Sequence, residues 1–285
     1  MRLAEGTGKS ASQASQLLRP GLCAMVALSS LTGLMLAQNE LVRGTWLLLI
    51  CGVFLLASGA SVINQIQERH TDALMRRTRL RPLACGRMNT STGLTLALGL
   101  TAGGAVLLGL IGTVPLLLGG SALVLYNALY TPLKRHTSLA LLAGALAGAI
   151  PPLIGWTAAG QSPLDIRILF LALLLFLWQI PHFCALAFRH REDYRRAGLY
   201  MPPSHRGIVL VWLLALGTGT AQAGAFGLLR TPAAAPLLLL LFLWLLPPVI
   251  RTIDHSAPGR RLDMRLQLFL AVLLVSIVFD GLVLP

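Results

Sequence analysis

Nine apolar runs of about 20 residues follow one another along the chain, at roughly 20–38, 45–66, 92–110, 113–130, 138–158, 166–187, 208–228, 232–250 and 266–284. A run of that length crosses a hydrocarbon core of about 30 Å as a helix rising about 1.5 Å per residue. Backbone polar groups have no water to turn to inside lipid, and a helix satisfies them within one segment. The expected fold is therefore an all-α membrane protein with about nine transmembrane helices. Composition agrees, since only 12% of the 285 residues are charged, against about 25% in a soluble domain. Nine crossings use about 180 residues and leave little for a separate soluble unit. The expected organisation is a cytoplasmic tail over 1–19 and one transmembrane domain over 20–285.

A formal net charge of +13 would suit a nucleic-acid binder, but the placement of the cations gives another reason for it. With the N-terminus cytoplasmic and nine spans, 20 of the 23 Lys and Arg fall on the cytoplasmic side, leaving only Arg43, Arg167 and Arg230 outside. This is the positive-inside asymmetry, and no nucleic-acid role is assigned. The C-terminus is then external. The six histidines also lie at or near the cytoplasmic face, whereas the external stretches, such as Asn39 to Gly44 and Gly160 to Ile166, are short and plain. The opening segment lacks an organelle transit signature, so a bacterial inner membrane is the expected location. Four scattered cysteines without a CxxC pair exclude a disulfide scaffold and a thiol-exchange centre. Gly99-x3-Gly103 and Gly144-x3-Gly148 have the spacing that lets helices approach closely in lipid.

The second cytoplasmic loop is the most informative. Asn64, Glu68 and Asp72 recur every four residues. If the second span continues through them as a helix, successive side chains turn by only about 40° and rise about 6 Å, lining one face with oxygen donors. Mg²⁺ takes oxygen ligands and is usually held by one or two carboxylates together with substrate phosphates. Arg76, Arg77, Arg79 and Arg81 follow at once, with forked donors suited to phosphate. Acids among arginines at a membrane edge also occur as plain solvated ion pairs, but the regular spacing at the end of a span favours function.

A second cluster runs from Trp178 through Pro181, His182 and Phe183 to Asp193 and Tyr194. Proline inside an apolar span frees a carbonyl, which is tolerated where a helix lines a cavity. The two acidic clusters follow the second and sixth spans, as in a weak parallel repeat whose halves face one cavity. Between them, Tyr126, Tyr130, Lys134 and Arg135 place phenols and cations at the same face.

Taken in order, Asn64-x3-Glu68-x3-Asp72, Arg77-Thr78-x2-Arg81-Pro82-Leu83, Tyr130-Thr131-x2-Lys134-Arg135-x-Thr137, Pro151-Pro152, Trp178-Gln-x-Pro181-His182-Phe183 and Asp193-Tyr194-x2-Ala197-Gly198 resemble the UbiA-type intramembrane prenyltransferases. The Lys-Arg-x-Thr, double-proline and Pro-His-Phe segments are similar to its haem-modifying branch, the protohaem IX farnesyltransferases or haem O synthases. Two departures stand out: Glu68 where the family usually has aspartate, and Leu199-Tyr200-Met201-Pro202-Pro203 where it usually reads Ile-Pro-Met-Leu-Pro.

The resemblance implies a UbiA-type fold around a cavity open to the cytoplasmic side, with haem b and farnesyl diphosphate as substrates and Mg²⁺ as cofactor. Asn64, Glu68, Asp72 and Asp193 are the implied metal ligands, and Lys134 and Arg135 join them as catalytic residues. Arg77, Arg81, Tyr126, Tyr130, Trp178, His182 and Tyr194 are the implied substrate-binding residues. The aromatic faces would shield an allylic cation, and His182 would meet haem through its iron or a propionate. The lipid bilayer, and functionally a haem A synthase or a terminal oxidase, are the implied partners. An aromatic quinone precursor as acceptor, a haem-binding homologue without turnover and a transporter are the competing readings.

Overall fold

A computed structural model describes residues 15–37, 44–201, 206–229, 231, 234–247 and 258–283. Most of the tail, the first external loop with Arg43, residues 202–205, Arg230 and the loop at 248–257 lie outside the described residues. Among the described residues all regular structure is helical: α1 Pro20–Ala37, α2 Thr45–Leu74, α3 Thr90–Ile111, α4 Thr113–Val124, α5 Ala140–Ala149, α6 Pro151–Ala158, α7 Ile166–Arg189, α8 Arg191–Arg196, α9 Arg206–Gln222, α10 Ala234–Leu243 and α11 Pro258–Val283. Seven stretches are long and apolar enough to cross a membrane: α1, α2, α3, α4 with its continuation to Leu133, α5 with α6, α7, and Arg261–Asp280 of α11. The seventh and eighth expected runs coincide with α9 and α10, whose described helices are shorter. Residues 15–18, assigned to the tail from sequence, form a helical turn whose Leu17 carbonyl accepts from the buried Gln65 amide at 2.6 Å.

Helices differ in how much they are enclosed. In α3 only 17% of the membrane window is buried, against 67% for α5–α6 and 61% for α7. Leu94, Leu98, Val106 and Leu110 of α3 are exposed, as expected for side chains that face lipid. The inner helices are rich in glycine, alanine and proline, which allow the backbones to approach. A Cβ on Gly155 would stand 1.7 Å from the Ser30 carbonyl oxygen, and one on Gly33 would stand 1.9 Å from that of Pro152. Those two residues set the α1–α6 crossing. Of the spaced glycines noted above, Gly144 fits against Tyr130 and Phe183 and Gly148 against Gln179, while Gly99 faces open space.

One irregularity bears directly on the site. Leu125–Tyr130 winds as a π-helix between α4 and the short turn Thr131–Leu133. The widened turn is tied to α2 at three points. Asn64 Nδ2 donates to Thr131 Oγ1 at 3.1 Å, Gln67 Nε2 to the Asn127 carbonyl at 3.0 Å, and Asn127 Nδ2 to the Ala60 carbonyl at 3.1 Å. Such single π-turns often mark functional positions.

Candidate active site

α2 continues unbroken to Leu74, so the four-residue spacing does place Asn64, Glu68 and Asp72 along one helix face. All three are buried, at 2%, 4% and 3% exposure. Unpaired carboxylates would be costly there. Each finds a cation at 2.7 Å: Lys134 Nζ on Glu68 Oε1 and Arg81 Nη1 on Asp72 Oδ2.

After Met75 the chain doubles back on the helix end. Thr78 Oγ1 donates to the Asp72 carbonyl at 3.0 Å, and the Thr78 and Arg79 amides donate to the Met75 carbonyl. Asp193 secures this turn from α8: its Oδ1 accepts from the Arg76 amide at 2.9 Å and its Oδ2 from the Arg77 amide at 3.2 Å. Burial of the Asp193 carboxyl would raise its pKa, but these two amide hydrogen bonds outweigh burial and hold it below the usual carboxylate value.

These elements enclose a cavity of about 270 Å³. Its polar end holds Asn64, Glu68, Asp72, Arg19, Arg77, Arg81, Lys134 and Tyr194, and its apolar part includes Leu22, Val26, Val53, Leu56, Leu123 and Ile154. Burial first, then Arg81 and Arg19, pull the Arg77 pKa below its ordinary value. Cations crowded so closely are relieved by a polyanion. Burial and the neighbouring Tyr130 phenol push Tyr194 up to about 12, so at neutral pH it is an O–H donor at the cavity edge. Along one wall Tyr126 stacks on Tyr130 at 5.6 Å and Tyr130 on Phe183 at 5.7 Å, with Lys134 Nζ 5.1 Å above the Tyr130 ring.

A cation-rich cavity lined by carboxylates at its polar end and by apolar side chains elsewhere suits a diphosphate on a hydrocarbon chain. A profile of the UbiA prenyltransferase family matches residues 26–273. The chain belongs to that family. A protoheme IX farnesyltransferase of Geobacter sulfurreducens is 44% identical over 235 residues, covering 79% of this chain and 87% of the relative. One of Flavobacterium psychrophilum is 33% identical over 276 residues, covering 93% and 92%. Among solved structures, a UbiA homolog of Aeropyrum pernix K1 superposes with a TM-score of 0.75 at 20% identity, covering 94% of this chain and 98% of that one. A homolog of Archaeoglobus fulgidus bound to GPP and Mg²⁺ gives 0.69 at 17% identity, covering 93% and 99%. At such identities these two show the UbiA fold alone.

Of the site residues expected in this UbiA member, ten line the cavity: Asn64, Glu68, Asp72, Arg77, Arg81, Tyr126, Tyr130, Lys134, His182 and Tyr194. Three are absent from its lining. Arg135 turns away, donating from Nη2 to the Gln67 carbonyl at 2.8 Å. Trp178 lies behind His182, its ring stacked at 4.6 Å and its indole N–H donating to the Leu266 carbonyl at 2.8 Å. Asp193 meets the other acidic cluster through backbone amides, so the two clusters converge at Arg76 and Arg77. Sequence reasoning gave no site role to Arg19, Gln179 or Asp263. Arg19 has φ of 53°, a strained value for a non-glycine residue, and nothing in its sequence context signals that.

Proposed function

We propose that this chain transfers the farnesyl group of farnesyl diphosphate to a vinyl group of haem b, forming haem O, at the cytoplasmic side of a bacterial inner membrane. The observation that carries the reading is the convergence of Asn64, Glu68 and Asp72 with Arg77, Arg81 and Lys134 over an apolar cavity. The farnesyltransferase relatives support the acceptor and the prenyl length.

The donor set fits Mg²⁺ that arrives with its diphosphate. All three side chains on α2 offer oxygen, yet no three acidic, histidine or cysteine residues among the described ones group closely enough to cage an ion by themselves. That is the usual situation of magnesium held by few carboxylates and substrate phosphates. When bound, the metal would supply Lewis-acid stabilisation of the leaving diphosphate. Asn64, Glu68 and Asp72 would hold it. Asp193 keeps the Arg76–Arg77 turn in place.

The protein's own cations do the remaining electrostatic work. Arg77, Arg81 and Lys134 place fixed positive charge where the departing diphosphate gains negative charge. Lys134 and Arg81 leave Glu68 and Asp72 as the substrate enters, exchanging one opposite charge for another. Leu22, Val26, Val53 and Leu56 take the hydrocarbon chain. The Tyr126–Tyr130–Phe183 wall faces the allylic cation with negative ring faces, contacts of about 0.5–2 kcal/mol each. A haem vinyl carbon then forms the new bond, and water captures the resulting cation beside the porphyrin with loss of a proton. The product feeds a haem A synthase or a terminal oxidase.

Mass spectrometry of haem extracted from membranes expressing the chain tests this. The expected result is a new species heavier by one farnesyl group plus water. Unmodified haem alongside a prenylated aromatic acid would assign a different acceptor.

A further inference from the structure

We propose that Asp263 makes His182 an iron ligand, holding its imidazole with the proton on Nδ1 so that the Nε2 lone pair faces the cavity and coordinates the haem iron. This rests on haem b being the acceptor, and it selects iron ligation over a propionate hydrogen bond. His182 Nδ1 lies 3.1 Å from Asp263 Oδ1, and Asp263 is only 1% exposed. The same carboxylate accepts from Arg189 Nη1 at 2.9 Å and from Gln267 Nε2 at 3.2 Å. Asp263 is not among the cavity-lining residues, so it acts through His182 as a positioning residue.

The ring is fixed on several sides. Trp178 stacks on it with planes 13° apart and is itself anchored to the Leu266 carbonyl, and Phe183 tilts against it at 6.0 Å. Nδ1 is sealed from solvent, while 15% of the side chain stays open and the residue lines the cavity. The open part is therefore the far edge, which carries Nε2.

The tautomer follows from charge. A lone pair on Nδ1 would face a carboxylate oxygen and be repelled, so Nδ1 carries the proton and Nε2 the lone pair. In the neutral ring this tautomer leaves Nε2 a lone pair for a metal and no N–H to donate to a propionate. Metal-binding histidines characteristically direct their other ring N–H to a carboxylate or carbonyl, which raises ligand basicity.

The test uses the full chain in lipid nanodiscs with ferrous haem b and no farnesyl diphosphate, read by resonance Raman at the iron–histidine stretch. The wild type should show the band, His182→Gly should lose it, and added imidazole should restore it. Asp263→Asn should keep haem bound and shift the band to lower frequency, because an amide oxygen draws the Nδ1 proton less strongly. Arg189→Gln should shift it upward, since the carboxylate is then shared with one cation fewer; this keeps the test decisive if Asp263→Asn does not fold. A wild-type spectrum without the band, a band that survives His182→Gly, or an unmoved band in Arg189→Gln overturns the proposal. Failure of the wild type to bind haem, while farnesyl diphosphate added afterwards to the same preparation farnesylates another acceptor and releases diphosphate, overturns the acceptor assignment instead.

Discussion

Asp72 and Arg81 face each other at 2.7 Å, their side chains 4% and 12% exposed. Removing one partner of such a pair leaves a buried charge and costs about 3–5 kcal/mol of stability. Asp72→Asn is thus a better probe than Asp72→Ala, because it keeps the volume and a hydrogen-bond acceptor. We expect it to lower kcat by about 10²–10³-fold, as loss of one charge-stabilising group does elsewhere. A full rate in the presence of Mg²⁺ would sink the metal role of this carboxylate. Arg81→Ala should act mainly on diphosphate binding, so steady-state kinetics should show a higher KM for farnesyl diphosphate; an unchanged KM removes Arg81 from the diphosphate site. Glu68→Asp restores the residue usual in the family and should leave turnover unchanged or faster, although it shortens the reach to Lys134.

Two contacts between elements carry their own expectations. Asp193 joins α8 to the turn after α2 through amide hydrogen bonds to a charged acceptor, which contribute about 1.5–3 kcal/mol each at most. Asp193→Ala should speed hydrogen exchange at the Arg76 and Arg77 amides and loosen Arg77; unchanged exchange would show that the turn holds itself. Because the folded pKa is lowered, this clamp contributes fully above the ordinary carboxylate value of 3.8 and is lost as pH falls through the lower folded value. Exchange at the two amides should therefore be flat from neutral pH down to about 4 once intrinsic rates are divided out. The α1–α6 crossing has no room for a methyl group at Gly155, whose added Cβ would overlap the Ser30 carbonyl. Gly155→Ala should abolish stable insertion, seen as loss of the monodisperse species in detergent; normal yield would mean that the helices can separate.

Across the whole molecule, charge placement gives an expected orientation, and a cysteine tests it. Cys85 is exposed in the loop after α2, whereas Cys23 and Cys184 are buried and Cys51 lies within the membrane-spanning part of α2. Burial is the largest single influence on the Cys85 thiol and raises its pKa, but the hydrogen bonds and charge of Arg87 together outweigh it and lower the pKa, favouring thiolate. A membrane-impermeant maleimide should label Cys85 in inside-out vesicles and leave it unlabelled in right-side-out ones. The reverse pattern would place the carboxylate cavity on the external side and remove the cytoplasmic address for farnesyl diphosphate.

Much of this was legible because lipid imposes local rules. Length and hydropathy mark the spans, and a four-residue repeat on an unbroken helix must put Asn64, Glu68 and Asp72 on one face. α9 and α10 came out shorter than their apolar runs, since hydropathy does not show where a helix ends. The pairings were not legible, because they depend on which helices meet. Asp263 sits at the start of α11 and reads there as one acid among arginines, until packing against α7 brings it to His182 and Arg189. The family resemblance implies Asp193 as a metal ligand, and only the return of the Arg76–Arg77 turn shows its oxygens taken by amides. Sequence determined which side chains could do chemistry and that they gather at one end of the spans. Tertiary structure decided which of them face the cavity and which hold the others in place, because a buried charge takes its role from the partner that packing supplies.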